Sequence, residues 1–530
     1  MYLQYRDVMI SPQKDNWIAA IEDELKSMKD ENVFNVIDLK DALRNQKASD
    51  ILSTRWVFAQ KTAPLRYKAR LVARGFKQTK GINFEETFAP TPTFNALRLL
   101  FSIAITNKWL IRTFDVKVAF LHSLIDMPVF VWPPRGLDIP PGKVLRLNKA
   151  LYGTKQAARC WWRHLTNILM DIGFEPNKED LSTYTYLSSS GTALLWIHVD
   201  DGALTASSPQ LLEEIVNAVS RKLKIKWDEK ITSLVGLNIH QSAEGICITQ
   251  SDLIRKLITL CPSNITAKSP LPPNCKLESG PSKEMDIPYL QRIGMLLYIA
   301  QGSRPDITFA VNYLARFSLG TTEDHWKALE HLIAYLRMTT TSGIMIRDSG
   351  STSAFECYVD ANWGGEGNRS THGFLLLHNN NPISWQSKRQ ATIASSTCQA
   401  EYMAMSFAAR ECLWISRLFQ PILGISIPRL YSDNKTSVNI ALNIASQKQT
   451  RHLIREFNLV NEYIAKGKIS LCWISTHAQM ADILTKPLGS LKVTQFLSLL
   501  NSIKVNVTSR GGECYDSSKN QKKFLEHSKT

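Results

Sequence analysis

The chain has no C-x-x-C pair. Its nine cysteines are scattered from Cys160 to Cys514, an odd and dispersed set. That excludes a disulfide framework and a zinc ribbon, and fits reduced intracellular thiols. No apolar run approaches the ~20 residues of a membrane span, so a soluble chain without a membrane partner is expected. The opening MYLQYRDVMISPQKDNW lacks the apolar core of a signal peptide. No internal repeat is visible, which sets solenoids and propellers aside. Acid is short too: 47 Asp and Glu stand against 63 Lys and Arg, a formal net charge of +16 and a pI of about 9.3. That excess is more than solubility needs. It points to a polyanion, nucleic acid before an acidic membrane surface.

What is present is a globular composition, 44% hydrophobic and 21% charged, over 530 residues. That length is too great for one core and suggests about three or four domains. Trp17, Ile21 and Leu25 recur at helical spacing, with Asp15 expected as a cap. The block RYKARLVARGFKQ, Arg66 to Gln78, interleaves cations with Leu71, Val72 and Phe76. It reads as a two-stranded element with one buried face and one basic, phosphate-facing face. An apolar helix from Leu97 to Trp109 leads to Phe114-Asp115-Val116. Asp115 is a lone carboxylate in an apolar strand, and burial there demands a cation or a proton. LYGTKQAARCWWRHL turns at Tyr152-Gly153 into an amphipathic helix.

The centre of the chain is ALLWIHVDDGALTA, Ala193 to Ala206. Apolar strand, Asp-Asp-Gly, apolar strand is a hairpin signal. Alone, Asp-Asp-Gly reads as a solvated turn. Two adjacent carboxylates otherwise suit Mg²⁺, which takes one or two of them plus substrate phosphates. Beyond a helix at Gln210 to Leu223 and strands around Leu234–Ile239 and Gly245–Thr249, Ser263 to Lys283 is rich in Pro, Ser and Asn and reads as a linker. Helices follow, one with Thr321 and Asp324 as a capping pair. From Ser351 strands and helices alternate, implying an α/β unit. The tail from Asn506 is polar and reads as disordered.

Several runs together match a family. RWVFAQK, RYKARLVARGFKQTKGINFEETFAPT, FDVKVAFL, LYGTKQAARCWW, HVDD, SRPDITFAVNYLARF, HWKALEHLIAYLR, PISWQSKRQ, AEYMAMSFAARECLW, YSDNKTS and ADILTKPL occur in order over roughly residues 15 to 490. The chain resembles the C-terminal part of a copia-type (pseudovirus) long-terminal-repeat retrotransposon polyprotein, reverse transcriptase followed by ribonuclease H. The family's capsid protein, protease and integrase are unmatched, so the chain reads as a piece of an element or one frame of a broken one.

The resemblance implies a multidomain α/β and α+β architecture. Its parts are a right-hand polymerase (palm, fingers, start of thumb) over 1–262, a linker and helical connection over 263–350, a ribonuclease H-like α/β domain over 351–490, and a polar tail over 491–530. Asp115, Asp200 and Asp201 match the polymerase acids, which would hold two Mg²⁺ ions, with Mn²⁺ as a substitute. Lys68, Arg70 and Arg74 match the fingers cations that meet the triphosphate. Phe120 matches the aromatic that blocks a 2′-hydroxyl. Gln156 matches the template- and nucleotide-positioning motif, and Leu234–Ile239 the primer-holding hairpin. Asp360, Glu401, Asp433 and Asp482 match the four acids of ribonuclease H, again for two Mg²⁺ ions. His477, five residues before Asp482, is either a proton carrier or a surface histidine. The implied partners are RNA template, DNA primer, RNA–DNA hybrid and deoxynucleoside triphosphates, with integrase and capsid proteins of the same element. The implied setting is intracellular: a cytoplasmic virus-like particle and the nucleus. The alternatives are a decayed retroelement remnant that only binds nucleic acid, and a basic structural protein of a particle. Binding alone needs cations, not seven placed carboxylates.

Overall fold

The computed structural model describes residues 3–44, 46–62, 65–278, 280, 288–350, 355–442 and 454–501. The basic block forms half of an antiparallel hairpin, Thr54–Thr62 against Leu65–Ala73, with Val57 opposite Arg70 and Ala59 opposite Lys68. Alternation does the sorting. Ala69, Leu71 and Ala73 are buried, while Lys68 and Arg70 lie on the open face. The buried face packs on the helix Lys14–Asp30 through Trp17, Ile21 and Met28. Glu24 of that helix accepts the Leu71 amide at 3.2 Å. Asp15 lies inside the first turn instead of capping it; the cap position is Gln13.

The central sheet has six antiparallel strands in the order Ile225–Asp228, Leu110–Val116, Asp201–Ala206, Gly191–His198, Thr183–Ser188 and Phe174–Pro176. Helices Ala157–Ile172 and Pro209–Lys222 cover one face. Helix Phe94–Thr106, capped by the Thr93 hydroxyl, covers the other. The strands are buried on both faces, which is why Ala193–Ile197 reads as a continuous apolar run.

A four-stranded sheet follows, Ser233–Leu234, Leu237–Ser242, Gly245–Thr249 and Ile344–Ile346. The expected linker carries no regular element over 263–278 but is not loose there: Ala267 and Leu271 are buried in the core. The rest of it, apart from residue 280, lies outside the described residues. Helix Glu323–Met338 starts one residue later than expected: Thr322 is its cap, and the Thr322 amide donates to His325 Nδ1 at 2.9 Å.

The C-terminal sheet runs Asn381–Arg389, Thr371–His378, Phe355–Asn362, Arg429–Ser432, Ser470–Trp473. The first three are antiparallel and the last two run parallel to Phe355–Asn362. Helix Thr397–Arg417 lies across it. The stretch expected to be a polar tail from 491 starts as a helix, Ser490–Asn501, because Val493, Phe496 and Leu500 have a core to bury in. Residues 502–530, the remainder of that tail, lie outside the described residues.

One contiguous core runs from Ala96 to Leu500, so the C-terminal sheet is fused to the polymerase-like part. Arg98 sits at the joint, 2% exposed. Its guanidinium donates to the carbonyls of Ile383 (2.7 Å), Gln301 (2.8 Å) and Gly302 (3.0 Å) and lies 4.0 Å from the Trp385 ring centroid. Ser102 on the same helix meets His378 Nδ1 at 2.8 Å.

Candidate active centres

The first centre lies at the end of the central hairpin. Asp201 stands directly opposite Asp115 in the sheet, and Lys226 flanks Asp115 on its other side. The two-residue turn is Val199-Asp200, not Asp-Asp-Gly, since His198 pairs with Asp201 and Gly202 is already in the strand. Val199 has φ of +58°, a costly conformation for a β-branched residue. The Trp161 indole donates to the Val199 carbonyl at 2.6 Å and the Val116 amide to that of Asp200 at 2.8 Å, which hold the turn in place. Gly202 is needed because a Cβ there would lie 2.2 Å from the Phe114 ring. Asp115 is exposed, against the expectation of burial: it lies one residue from the end of its strand, although that strand is paired on both sides. The three acids are neighbours, but their oxygens do not converge as tightly as those of the second centre.

The expected nucleotide residues lie on the basic hairpin and on the turn that follows the Asp115 strand. Lys68 and Arg70 project from the basic hairpin and Arg74 is exposed at its end. Phe120, half-buried in the turn Ala119–His122, meets Tyr152 edge to face at 5.1 Å. Arg70 lies over the same Tyr152 ring, also at 5.1 Å. Burial pushes the Tyr152 hydroxyl up to about 12; Arg70 opposes this, and Glu24, Asp200 and Asp115 add to it. In the sequence Tyr152 is a turn residue; the signal for more is an aromatic directly before Gly153, where the Ala73 amide donates to the Tyr152 carbonyl at 2.8 Å. Gly153, at φ +86°, has no room for a Cβ, which would lie 2.2 Å from the Ala73 carbonyl oxygen. Gln156 is wholly buried, donating to the Asn83 carbonyl at 2.8 Å and accepting from Gln78 at 3.0 Å, so its amide braces the loop behind the hairpin.

The second centre lies at one edge of the C-terminal sheet. Parallel pairing brings Asp360, on Phe355–Asn362, and Asp433, just past Arg429–Ser432, to the same edge. Helix Thr397–Arg417, capped by the Ser396 hydroxyl at 3.2 Å, supplies Glu401. Carboxylate oxygens of Asp360, Glu401 and Asp433 all lie within 4.8 Å of one another. Asp360 is 3% and Glu401 6% exposed. Burial pushes Asp360 up to about 6, opposed by Lys486 and reinforced by Asp482. Burial, then the Asp360 and Asp433 charges, push Glu401 well above the carboxylate range. Two buried acids and a half-buried third, with oxygens this close, fit a divalent cation, which would take all three oxygens. Asp482, in the turn Met480–Leu484, is buried beside them but ion-paired to Lys486 and Lys492. A cleft of about 540 Å³ opens next to it, lined by His477, Gln479, Lys492 and Phe496.

Residues 31–271 match the family model described as reverse transcriptase (RNA-dependent DNA polymerase). The chain is 32% identical over 471 residues to the retrovirus-related Pol polyprotein from transposon RE1 of Arabidopsis thaliana, covering 86% of this chain and 32% of that one. It is 31% identical over 308 residues to a transposon Ty5-1 protein of Saccharomyces cerevisiae, covering 56% of this chain and 99% of that one. The chain spans about a third of the length of the Pol polyproteins it matches. Among solved structures it is similar to a foamy viral protease-reverse transcriptase in complex with double-stranded DNA, at TM-score 0.52 and 13% identity, covering 87% of this chain and 70% of that one. That likeness shows the fold: a polymerase followed by a connection.

Proposed function

Because the chain belongs to the copia-type long-terminal-repeat retrotransposon reverse transcriptases, we propose that it copies RNA into DNA at the first centre and cuts the RNA of the hybrid at the second. The observation that supports the first half is the strand register that sets Asp201 against Asp115, with Asp200 in the adjoining turn. Asp115, Asp200 and Asp201 would hold Mg²⁺ or Mn²⁺, which supplies positive charge to the triphosphate and lowers the pKa of the primer hydroxyl. Lys68, Arg70 and Arg74 draw in the triphosphate and neutralise it. Phe120, backed by Tyr152, closes the space beneath the sugar. In the second half, Asp360, Glu401 and Asp433 would hold a divalent cation, which would supply positive charge to a scissile phosphate and acidify an attacking water. The substrates are an RNA template, a DNA primer, deoxynucleoside triphosphates and the resulting hybrid. The setting is a cytoplasmic virus-like particle and the nucleus, with integrase and capsid proteins of the same element as partners.

Separation of function tests both halves. Asp200→Asn should cut primer extension on RNA by at least about a hundredfold while hybrid binding and RNA cleavage survive. Asp433→Asn should do the reverse. Extension by Asp200→Asn at the parental rate would remove the polymerase assignment. Undiminished cleavage by Asp433→Asn would remove the nuclease one.

A further inference from the structure

The fourth acid of the second centre is already engaged. Asp482 is 4% exposed. Lys486 Nζ lies 2.7 Å from its Oδ1 and Lys492 Nζ 3.1 Å from its Oδ2. Lys486 Nζ also lies 3.7 Å from Asp360 Oδ2, and the Thr485 hydroxyl donates to that same oxygen. Asp482 is accordingly absent from the trio whose oxygens converge within 4.8 Å. Four carboxylates facing two ammonium groups leave two negative charges, which one divalent ion cancels. Two divalent ions would leave an excess of positive charge beside Asp360, Glu401 and Asp482, which are 3%, 6% and 4% exposed, and unpaired charge next to buried groups is costly.

We propose that Lys486 is a built-in counterion that fills the place of a second cation between Asp360 and Asp482. The free protein then takes up a single divalent ion here, on Asp360, Glu401 and Asp433. The proposal rests on the nuclease reading and concerns the centre before hybrid arrives. Lys486 has the right attachment. Its amide donates to the Asp482 carbonyl at 3.2 Å, so the turn that carries Asp482 also carries its neutraliser. Its side chain is 35% exposed, and an ammonium on a flexible stem can move into water where a guanidinium fork would stay fixed. Lys492, on helix Ser490–Asn501, holds the other oxygen of Asp482 from outside. Lys486 acts through Asp482 and Asp360 and is therefore a positioning residue.

Manganese binding to the full chain, followed by calorimetry and by the paramagnetic signal of free Mn²⁺, tests this without turnover. Ions of this centre are those lost on Asp360→Asn. The unaltered chain should hold one there, and Asp482→Asn should leave that count unchanged. Lys486→Met should add an ion, or tighten a weak second one at least tenfold, while Lys486→Arg should match the unaltered chain. Two tight ions in the unaltered chain, loss of an ion on Asp482→Asn, or a Lys486→Met titration identical to the parent would overturn the proposal. The Asp482→Asn count decides the matter even if Lys486→Met fails to fold. Hybrid cleavage by the unaltered chain tests the nuclease reading separately: a chain that cuts hybrid yet binds two ions beforehand overturns the counterion alone.

Discussion

Phe120 and Tyr152 form an aromatic corner whose second wall is Arg70. A pocket that attracts deoxyribose also accepts one more hydroxyl unless something blocks it. In the proposed reading Phe120 is that block, and its ring meets that of Tyr152 edge to face at 5.1 Å. Phe120→Val should therefore raise ribonucleotide insertion by at least about tenfold while deoxynucleotide insertion changes much less, as read by single-nucleotide kcat/KM for each sugar. A folded, active Phe120→Val that still rejects ribonucleotides as the parent does would make Phe120 a packing residue. Motif reading found Phe120 because its offset from Asp115 is fixed by a short strand and turn. Gln156 stands in the matched run LYGTKQ, but its burial against Gln78 and Asn83 is not legible there, since those partners lie about seventy residues earlier. Only burial tells a bracing amide from one that faces a cleft.

At the scale of elements, the joint between helix Phe94–Thr106 and strand Thr371–His378 has its own pH dependence. Burial pushes the His378 imidazole down to about 4, and its Nδ1 meets the Ser102 hydroxyl. The unfolded chain protonates this histidine near 6.5. Between those values the unfolded state binds more protons, so acid weakens the fold by about 1.4 kcal/mol per pH unit at this one site. Urea unfolding at pH 7 and pH 5 should show a fall of about 2 kcal/mol from His378, and His378→Gln should lose less between the two pH values. An equal loss in both proteins would clear His378 of the effect. Elements of this kind were legible to different depths. The hairpin at Ala193–Ala206 and the basic strand were plain from alternation and turn chemistry, although the turn itself lies one residue earlier than Asp-Asp-Gly suggests. The cap of Glu323–Met338 was misplaced because Thr321 and Thr322 are adjacent and His325 serves where an acid was expected. Helix Ser490–Asn501 was invisible because its three buried residues acquire meaning only against a core formed by distant segments. The approach of Lys486 to Asp482 was readable as an i, i+4 spacing. Its effect on the metal centre was not, since that depends on Asp360 arriving from a strand over a hundred residues earlier.

For the whole molecule, the +16 charge predicts that hybrid binding is driven by counterion release. Affinity should fall by at least about a hundredfold between roughly 50 and 200 mM salt, measured by fluorescence anisotropy with a labelled hybrid. A flat response would point away from backbone recognition. The same scale holds the consequence of Arg98. A guanidinium satisfied by the carbonyls of Ile383, Gln301 and Gly302 depends on three segments at once. A chain stopped at residue 350 would keep the helix that bears Arg98 and lose the strand that closes over it. It would also strip Ser102 of His378 and bare the helix face that now packs on Asn381–Arg389. The polymerase half is thus not a severable module. Expressed alone it should be sticky and short-lived, and a deletion or frameshift beyond residue 350 should silence the proposed DNA synthesis along with the proposed RNA cutting, although Asp115, Asp200 and Asp201 are still encoded.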